Sequence, residues 1–192
     1  NPDGNTISAA EHTIAMMMSL SRNIQLGYLG MVNGEWNRSS LVGNELKGKV
    51  LGVVGLGRIG REVIKRALGL EMKIIGFDPF VNQDVFDLDT VKLVDLDTLT
   101  MEADYITLHM PFLDSTKDLF NKDRISKMKS TSRIINVARG GIINESDLAQ
   151  ALNDEVIAGA AVDVFKNEPL APDSPLIKAK NILVTPHLGA ST

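Results

Sequence analysis

The sequence predicts an α/β domain built on a doubly wound parallel sheet, with helices packed on both of its faces. Three observations carry this expectation. Short apolar stretches rich in β-branched residues recur at Val50–Val54, Met72–Phe77, Val91–Val94, Ala103–His109, Arg133–Val137, Val156–Phe165 and Asn181–Val184, and read as buried parallel strands. Segments of helical composition alternate with them, at 61–70, 95–102, within 118–129 and at 145–152. Strand alternating with helix implies right-handed crossovers and hence a parallel sheet. The first strand also runs straight into Gly55-Leu56-Gly57-Arg58-Ile59-Gly60, a glycine turn that opens the helix at 61–70.

That turn organises the chain. Gly55 permits a tight turn, Gly57 lets the backbone approach a phosphate, and Gly60 lets helix and strand pack closely. The helix N-terminus then offers free N–H groups to an anion. The pattern alone is weak evidence, because a glycine-tolerant strand-to-helix turn can look the same. A dinucleotide site also expects an acid about 20 residues further on, at the end of a second strand. Asp78 stands there, after Met72–Phe77. The pyrophosphate of a dinucleotide is the ligand these residues suit.

Composition sets the outer bounds. A length of 192 residues suits one large domain, or a domain with an appendage. With 44% hydrophobic and 23% charged residues the composition is that of ordinary globular protein. A formal charge of −4 gives no reason to expect a nucleic acid or an anionic membrane as partner. The absence of cysteine excludes disulfides and thiolate chemistry, and agrees with a reducing cytoplasm. No apolar run approaches the length of a membrane span, and no signal peptide is visible. The sequence has no internal repeat and no low-complexity tract. It starts at Asn1 without Met and stops at Ser191-Thr192, just after Gly189-Ala190, so both ends read as cuts.

The remaining segments take their readings from local signals. Asn1–Ile7 is turn-rich, and Ser8-Ala-Ala-Glu11 has the form of a capping box opening a helix from Ala9 to about Leu20. That helix is apolar on nearly all sides, which predicts burial against another domain or subunit. His12 on it reads as a packed histidine. Arg22–Lys47 reads as an irregular, glycine-punctuated loop carrying the only tryptophan, Trp36, and an interface arm is preferred over a simple surface loop. Val81–Thr90 reads as an acidic loop. Asn144 is placed to cap the helix at 145–152, with Asn153 as its punctuation. His109, at the end of the fourth strand, reads as structural.

Ligands of such sheets bind beyond the carboxyl ends of the strands. Three polar residues fall there: Arg139 after the fifth strand, Glu168 after the sixth and His187 after the seventh. Each alone has a bland reading, as a surface arginine, an exposed glutamate before proline or a loop histidine. Their coincidence at one edge is what makes them candidates. Hydride transfer from a carbon bearing a hydroxyl requires removal of the hydroxyl proton, and histidine is suited to that near neutral pH. A carboxylate beside the histidine favours its charged form. An arginine can fork onto a substrate carboxylate and orient the reacting carbon.

With the fingerprint at Gly55–Gly60, the segments NVARGG (Arg139), DVFKNEP (Glu168) and TPHLGAST (His187) resemble the D-isomer-specific 2-hydroxyacid dehydrogenases over nearly the whole chain. The resemblance implies a Rossmann fold, NAD as cofactor, and Arg139, Glu168 and His187 as the catalytic set. It places Gly55, Gly57, Arg58, Ile59 and Gly60 at the pyrophosphate and Asp78 at the adenosine ribose, where a 2′-phosphate would meet like charge. Met110 and Pro111 fall near the adenine, and Val137 and Ala138 near the nicotinamide ribose. Asp163 falls at the nicotinamide carboxamide, and Gly189 and Ala190 near the cofactor together with Arg139 and His187. Residues 1–192 would be the cofactor domain, with 8–21 the helix linking it to a substrate domain absent from this chain and 22–47 a dimer arm. Binding of NADH with little turnover is then expected of the chain by itself. Within the family the motifs are most like those acting on 3-phosphoglycerate and 3-phosphohydroxypyruvate, the first step of serine biosynthesis. A glyoxylate or hydroxypyruvate reductase and an NAD-sensing, corepressor-like scaffold are the alternatives. The expected partners are a small 2-hydroxy acid and a second copy of the chain, with no nucleic acid, membrane or metal.

Overall fold

The computed structural model describes residues 4–83 and 89–192. Residues 1–3 and 84–88, which include parts of the expected N-terminal turn and of the acidic loop, lie outside the described residues. Among the described residues seven parallel strands form one sheet, in the order β3-β2-β1-β4-β5-β6-β7. The strands are β1 (Val50–Val54), β2 (Lys73–Phe77), β3 (Val91–Leu93), β4 (Tyr105–Leu108), β5 (Arg133–Asn136), β6 (Gly159–Val162) and β7 (Ile182–Val184). The helices are α1 (Thr6–Ser21), α2 (Ile24–Val32), α3 (Arg58–Gly69), α4 (Leu96–Glu102), α5 (Lys122–Ser126) and α6 (Glu145–Asn153).

The sheet separates two apolar cores. On one face α1 and α3 bury Met16, Met17, Leu20, Val63 and Ile64 against Leu51, Val53 and Ile135. On the other, α4, α5 and α6 bury Leu99, Ile125, Leu148 and Leu152 against Ile106, Ile134 and Ala160. Strands buried on both sides need apolar residues at successive positions, and β4 is buried at all four. Chain order reverses between β1 and β4. That reversal opens a crevice at the carboxyl edge, directly above the glycine turn.

Several local expectations change. The first helix starts at Thr6 with Asn5 as its N-cap, so Ser8 lies inside α1 and no capping box forms. The Ser8 hydroxyl instead meets the Thr192 hydroxyl. The apolar side chains of α1 are covered mostly within the domain, by α3 and the sheet, rather than awaiting another subunit. The segment expected to be an irregular loop contains α2. Its sequence, IQLGYLGMV, is apolar on every side and holds two glycines, so neither helical period nor propensity marks it. Large apolar side chains do lie exposed there: Tyr28 (69%), Val32 (64%) and, beyond the helix, Trp36 (79%). The helix α3 begins at Arg58, within the glycine turn, so the turn's own N–H groups form the helix N-terminus. At the end of α6 Asn153 remains helical, and Glu155 takes the left-handed turn (φ +58°). Asn144 does cap this helix, its Oδ1 accepting the Asp147 N–H at 3.0 Å.

Two glycines of the turn have different physical reasons. A Cβ on Gly60 would collide with the carbonyl oxygen of Gly55, whereas one on Gly57 would meet no protein atom within 4 Å. Gly60→Ala is therefore expected to lower stability by about 1–3 kcal/mol through overpacking against backbone. Gly57→Ala should change it by no more than about 0.5 kcal/mol, as at an uncrowded surface position. Urea unfolding followed by circular dichroism measures both. Equal losses would remove the distinction.

Candidate cofactor and active site

The pairing register sets the site. Val54, Phe77, Leu108, Asn136, Val162 and Val184 stand in one row across the sheet. One residue further along each strand lie Gly55, Asp78, His109, Val137, Asp163 and Thr185. Ladder hydrogen bonds continue into this second row, from Gly55 N to Phe77 O (2.8 Å), His109 N to Val54 O (2.7 Å) and Asp163 N to Asn136 O (3.0 Å). Polar side chains of this row are thereby carried on sheet geometry rather than on loops.

Asp78 ties the glycine turn to β2. Its Oδ2 accepts the Leu56 N–H (2.8 Å) and its Oδ1 accepts the Phe80 N–H (2.9 Å). Each carboxylate oxygen has room for a second donor, so a vicinal diol can be accepted without breaking either bond. Gly57 is the N-cap of α3 in an extended conformation, and the protein's own packing gives no reason for glycine there. A phosphate on the helix N-terminus does, and the residues present fit a dinucleotide.

A cavity of ≈ 440 Å³ opens beside this turn. Ile59 of α3 bounds it, with His109, Met110 and Pro111 after β4 and Val137, Ala138 and Arg139 after β5. His187, Gly189 and Ala190 after β7 close it, along with Asn5 and Ala9 of the first helix. Gly55, Gly57, Arg58, Gly60 and Asp78 are not part of this lining and belong to the turn next to it. The His109 ring keeps some surface along the cavity, yet it is enclosed by protein, and burial pushes its pKa down to about 4. It is thus a neutral imidazole, its Nε2 2.8 Å from the Thr107 hydroxyl.

Arg139 and His187 also line a second cavity of ≈ 550 Å³, which Glu168 shares. Glu168 Oε2 lies 2.7 Å from His187 Nδ1, and its Oε1 accepts the Phe165 N–H at 3.0 Å. The hydrogen bond from His187 is the largest cause holding the Glu168 carboxyl below its ordinary value, followed among the lowering causes by the Phe165 N–H and the charges of His187 and Arg139; partial burial opposes them. Arg139 is exposed, and its guanidinium donates to its neighbour's carbonyl, Ala138 O, at 2.7 Å. The turn under it is stitched by Asn136, whose amide donates to Arg139 O (2.9 Å) and accepts from Ala138 N–H (3.0 Å). Gly140 lets this turn pass under the next loop, because a Cβ there would collide with Phe165 O.

Asp163 departs from its expected place. Its side chain is fully buried and is absent from the lining of either cavity. Its oxygens accept from Thr185 Oγ1 (2.6 Å), Leu188 N (2.7 Å) and Gly189 N (3.0 Å). The sequence gave no sign of Thr185 or of Asn136 as parts of the site, and their signal was the register row, which is visible only once strands are paired. Among the described residues no group of three or more His, Asp or Glu could hold a metal ion, and no helix is long and apolar enough to cross a membrane.

A glycine turn on β1, an acid on β2 and a histidine–carboxylate pair at one crevice belong together in the cofactor domains of nicotinamide-dependent dehydrogenases. Residues 14–189 match the sequence profile of the D-isomer specific 2-hydroxyacid dehydrogenases, NAD binding domain, and the chain belongs to that family. It is 46% identical over 191 residues to a D-3-phosphoglycerate dehydrogenase of Archaeoglobus fulgidus, covering 100% of this chain and 36% of that one. A D-3-phosphoglycerate dehydrogenase of Synechocystis is 48% identical over 192 residues, covering 100% of this chain and 34% of the relative. Among solved structures, an NAD-dependent formate dehydrogenase from Staphylococcus aureus in complex with NAD superposes with a TM-score of 0.93 at 36% identity, over 99% of this chain and 57% of that one. The chain thus spans about a third of the length of the curated relatives it matches.

The Glu168–His187 bond has a defined pH dependence. A carboxyl whose pKa is lower in the folded than in the unfolded chain stabilises the fold above its ordinary value of 4.5, and that contribution is lost as pH falls through the folded pKa. Carbon-13 titration of the Glu168 carboxyl is expected to give a midpoint below 4.5, and His187→Ala should raise it toward that value. A midpoint unmoved by His187→Ala would show that the hydrogen bond is not the main cause.

Proposed function

We propose that the protein carrying this chain is an NAD-dependent oxidoreductase that interconverts a D-2-hydroxy acid and its 2-keto acid. The pair proposed is 3-phosphoglycerate and 3-phosphohydroxypyruvate, at the first step of serine biosynthesis, on the names of the two relatives above. The observation that carries the reading is the 2.7 Å contact of Glu168 Oε2 with His187 Nδ1 at the edge of the cofactor cavity.

Each residue has a role in this reading. The N–H groups at Arg58, Ile59 and Gly60 receive the pyrophosphate, with Gly55 and Gly57 giving it room. Asp78 accepts the ribose hydroxyls, and its charge opposes the 2′-phosphate of NADP. Met110 and Pro111 lie against the adenine side, and Val137, Ala138, Gly189 and Ala190 against the nicotinamide side. When bound, NAD accepts the hydride from the substrate carbon or returns it. With Nδ1 occupied by Glu168, Nε2 of His187 is the nitrogen that takes the hydroxyl proton on oxidation and gives it back on reduction. Glu168 stabilises the charged ring that forms, and Arg139 forks onto the substrate carboxylate. Closure over the substrate, which excludes water and fixes orientation, is assigned to a separate substrate domain linked through residues 8–21.

The natural full-length protein tests the assignment. His187→Ala is expected to lower oxidation of 3-phosphoglycerate by about 10²–10⁴-fold, the usual scale of a general acid–base, while NADH affinity stays nearly constant. Retained turnover would remove His187 from this role.

A second copy of the chain is the proposed partner, and a reducing cytoplasm the proposed compartment. The exposed apolar side chains of α2, with Trp36 and Val42 beyond it, make a surface that a globular chain ordinarily covers. Light scattering at tens of micromolar, roughly the range of ordinary assays, should report a dimer, and Trp36→Asp with Tyr28→Asp should shift it toward monomer. A monomeric wild-type protein would contradict this.

A further inference from the structure

We propose that Asp163 and His12 are positioning residues, a buried brace that holds the His187 turn so that its ring meets Glu168. The inference rests on the reading of His187 as the proton-transfer group. It concerns how that group is held.

The His187 turn is under an unusual constraint. His187 itself has a left-handed backbone (φ +54°), which a residue with a Cβ adopts only when its surroundings demand it. The Glu168 contact does not explain this, because it engages only the ring. The backbone around His187 is held by a single residue. The carbonyl of Asp163 accepts the His187 N–H at 2.9 Å. Its carboxylate accepts the next two amides, Leu188 N–H on Oδ1 (2.7 Å) and Gly189 N–H on Oδ2 (3.0 Å). Three consecutive N–H groups of the turn thus end on Asp163, which is itself fixed by a ladder bond to β5.

The remaining partners of this carboxylate define its chemistry. Thr185 Oγ1 lies 2.6 Å from Oδ1, and its one hydrogen goes to the charged oxygen. His12 Nε2 lies 3.3 Å from both Thr185 Oγ1 and Asp163 Oδ1. Since the threonine hydrogen is already committed, only a protonated Nε2 suits this position, whether the ring is neutral or charged. Every group facing the carboxylate is therefore a donor. An amide in its place would turn an N–H at donors in either orientation, leaving buried groups unpaired. A carboxylate is required, and His12 completes its shell from across the domain, on α1. None of His12, Asp163 and Thr185 lines the cofactor cavity, whereas His187, Gly189 and Ala190 do. The brace acts from behind the turn, away from the cofactor.

The experiment has two arms on the natural full-length protein. In the first, hydride transfer and NADH affinity are measured for His12→Leu, His12→Gln and Asp163→Asn. His12→Leu removes the donor and should lower kcat by roughly 10-fold, in line with the sensitivity of such reactions to displacements below about 1 Å, with the NADH Kd nearly unchanged. His12→Gln supplies an amide donor of similar reach and should restore most of the rate. Asp163→Asn should lose more than His12→Leu. A parallel rise in NADH Kd across the series would place the cluster in the cofactor site and overturn the brace, as would an unchanged kcat in His12→Leu. A failure of glutamine to restore the rate of a folded variant would overturn the donor role of His12.

The second arm reads geometry without catalysis. Amide proton shifts of Leu188 and Gly189 report their bonds to a carboxylate. Both should move upfield in His12→Leu, and the His187 Nδ1 proton signal should broaden or shift with them. Unmoved signals would overturn the inference even if the rate fell. If the wild-type protein turns over no 2-hydroxy acid while these signals respond, the proposed function fails and the brace stands.

Discussion

The arrangement at the ligand edge depends on backbone segments lying closer together than side chains permit. Turns that follow neighbouring parallel strands leave the sheet about one strand spacing apart, and each must clear the next before it reaches its helix. Here they interlock. The turn after β1 packs on the segment after β4 at Gly55, where a Cβ would collide with His109 O. That turn folds against its own helix at Gly60 and Gly55 O, and the turn after β5 passes under the segment after β6 at Gly140 and Phe165 O. Interlocked turns have little freedom to shift separately. Residues carried on them keep the spacing of the strands below, which is what a site assembled from four crossovers requires.

On this platform three carboxylates have different surroundings and so different work. Asp78 spends one acceptor site of each oxygen on backbone N–H groups and keeps the others for a ligand. Asp163 is fully buried and meets donors on both oxygens, which makes it a structural anion. Glu168 has a side chain 36% exposed, and one of its oxygens meets a histidine that can exchange protons with solvent or substrate. Residue type alone would give the three the same chemistry; burial and partner count separate them.

Much of this was legible in the chain. The seven apolar stretches all became strands, because a sheet covered on both faces needs unbroken apolar runs, and such runs are visible without pairing. The strand ends were set too far out by one to three residues at most positions: Val156–Phe165 shrank to Gly159–Val162, since Val156 N–H instead closes α6 on Ala151 O. The helix α2 was missed for a physical reason. Apolar all round and carrying Gly27 and Gly30, it has no polar face to give a period, and its stability has to come from packing rather than propensity. The Arg139, Glu168 and His187 cluster was legible as three residues after three strands. What the sequence could not carry was the state of each carboxylate. Asp163 and Thr185 became partners only through the register Val162↔Val184, a relation 22 residues long in sequence and one strand wide in space.

Two levels of precision meet at His187. The row Gly55, Asp78, His109, Val137, Asp163 and Thr185 is held by ladder hydrogen bonds, and it faces the groups of a dinucleotide that stay fixed during reaction. Arg139, Glu168 and His187 lie two to five residues further out, where no ladder reaches. They stand between the two cavities, one bordered by the cofactor turn and the other by Glu168 and Phe112. Residues placed there can adjust to a substrate, but each needs its own anchor to the row beneath. Asn136 supplies it for the Arg139 turn, the Phe165 N–H for Glu168, and Asp163 for the His187 turn. In each case the anchor is a hydrogen bond made to or by backbone, which fixes the turn while leaving the reacting side chain free to rotate. A site of this kind holds its catalytic groups through their main chain.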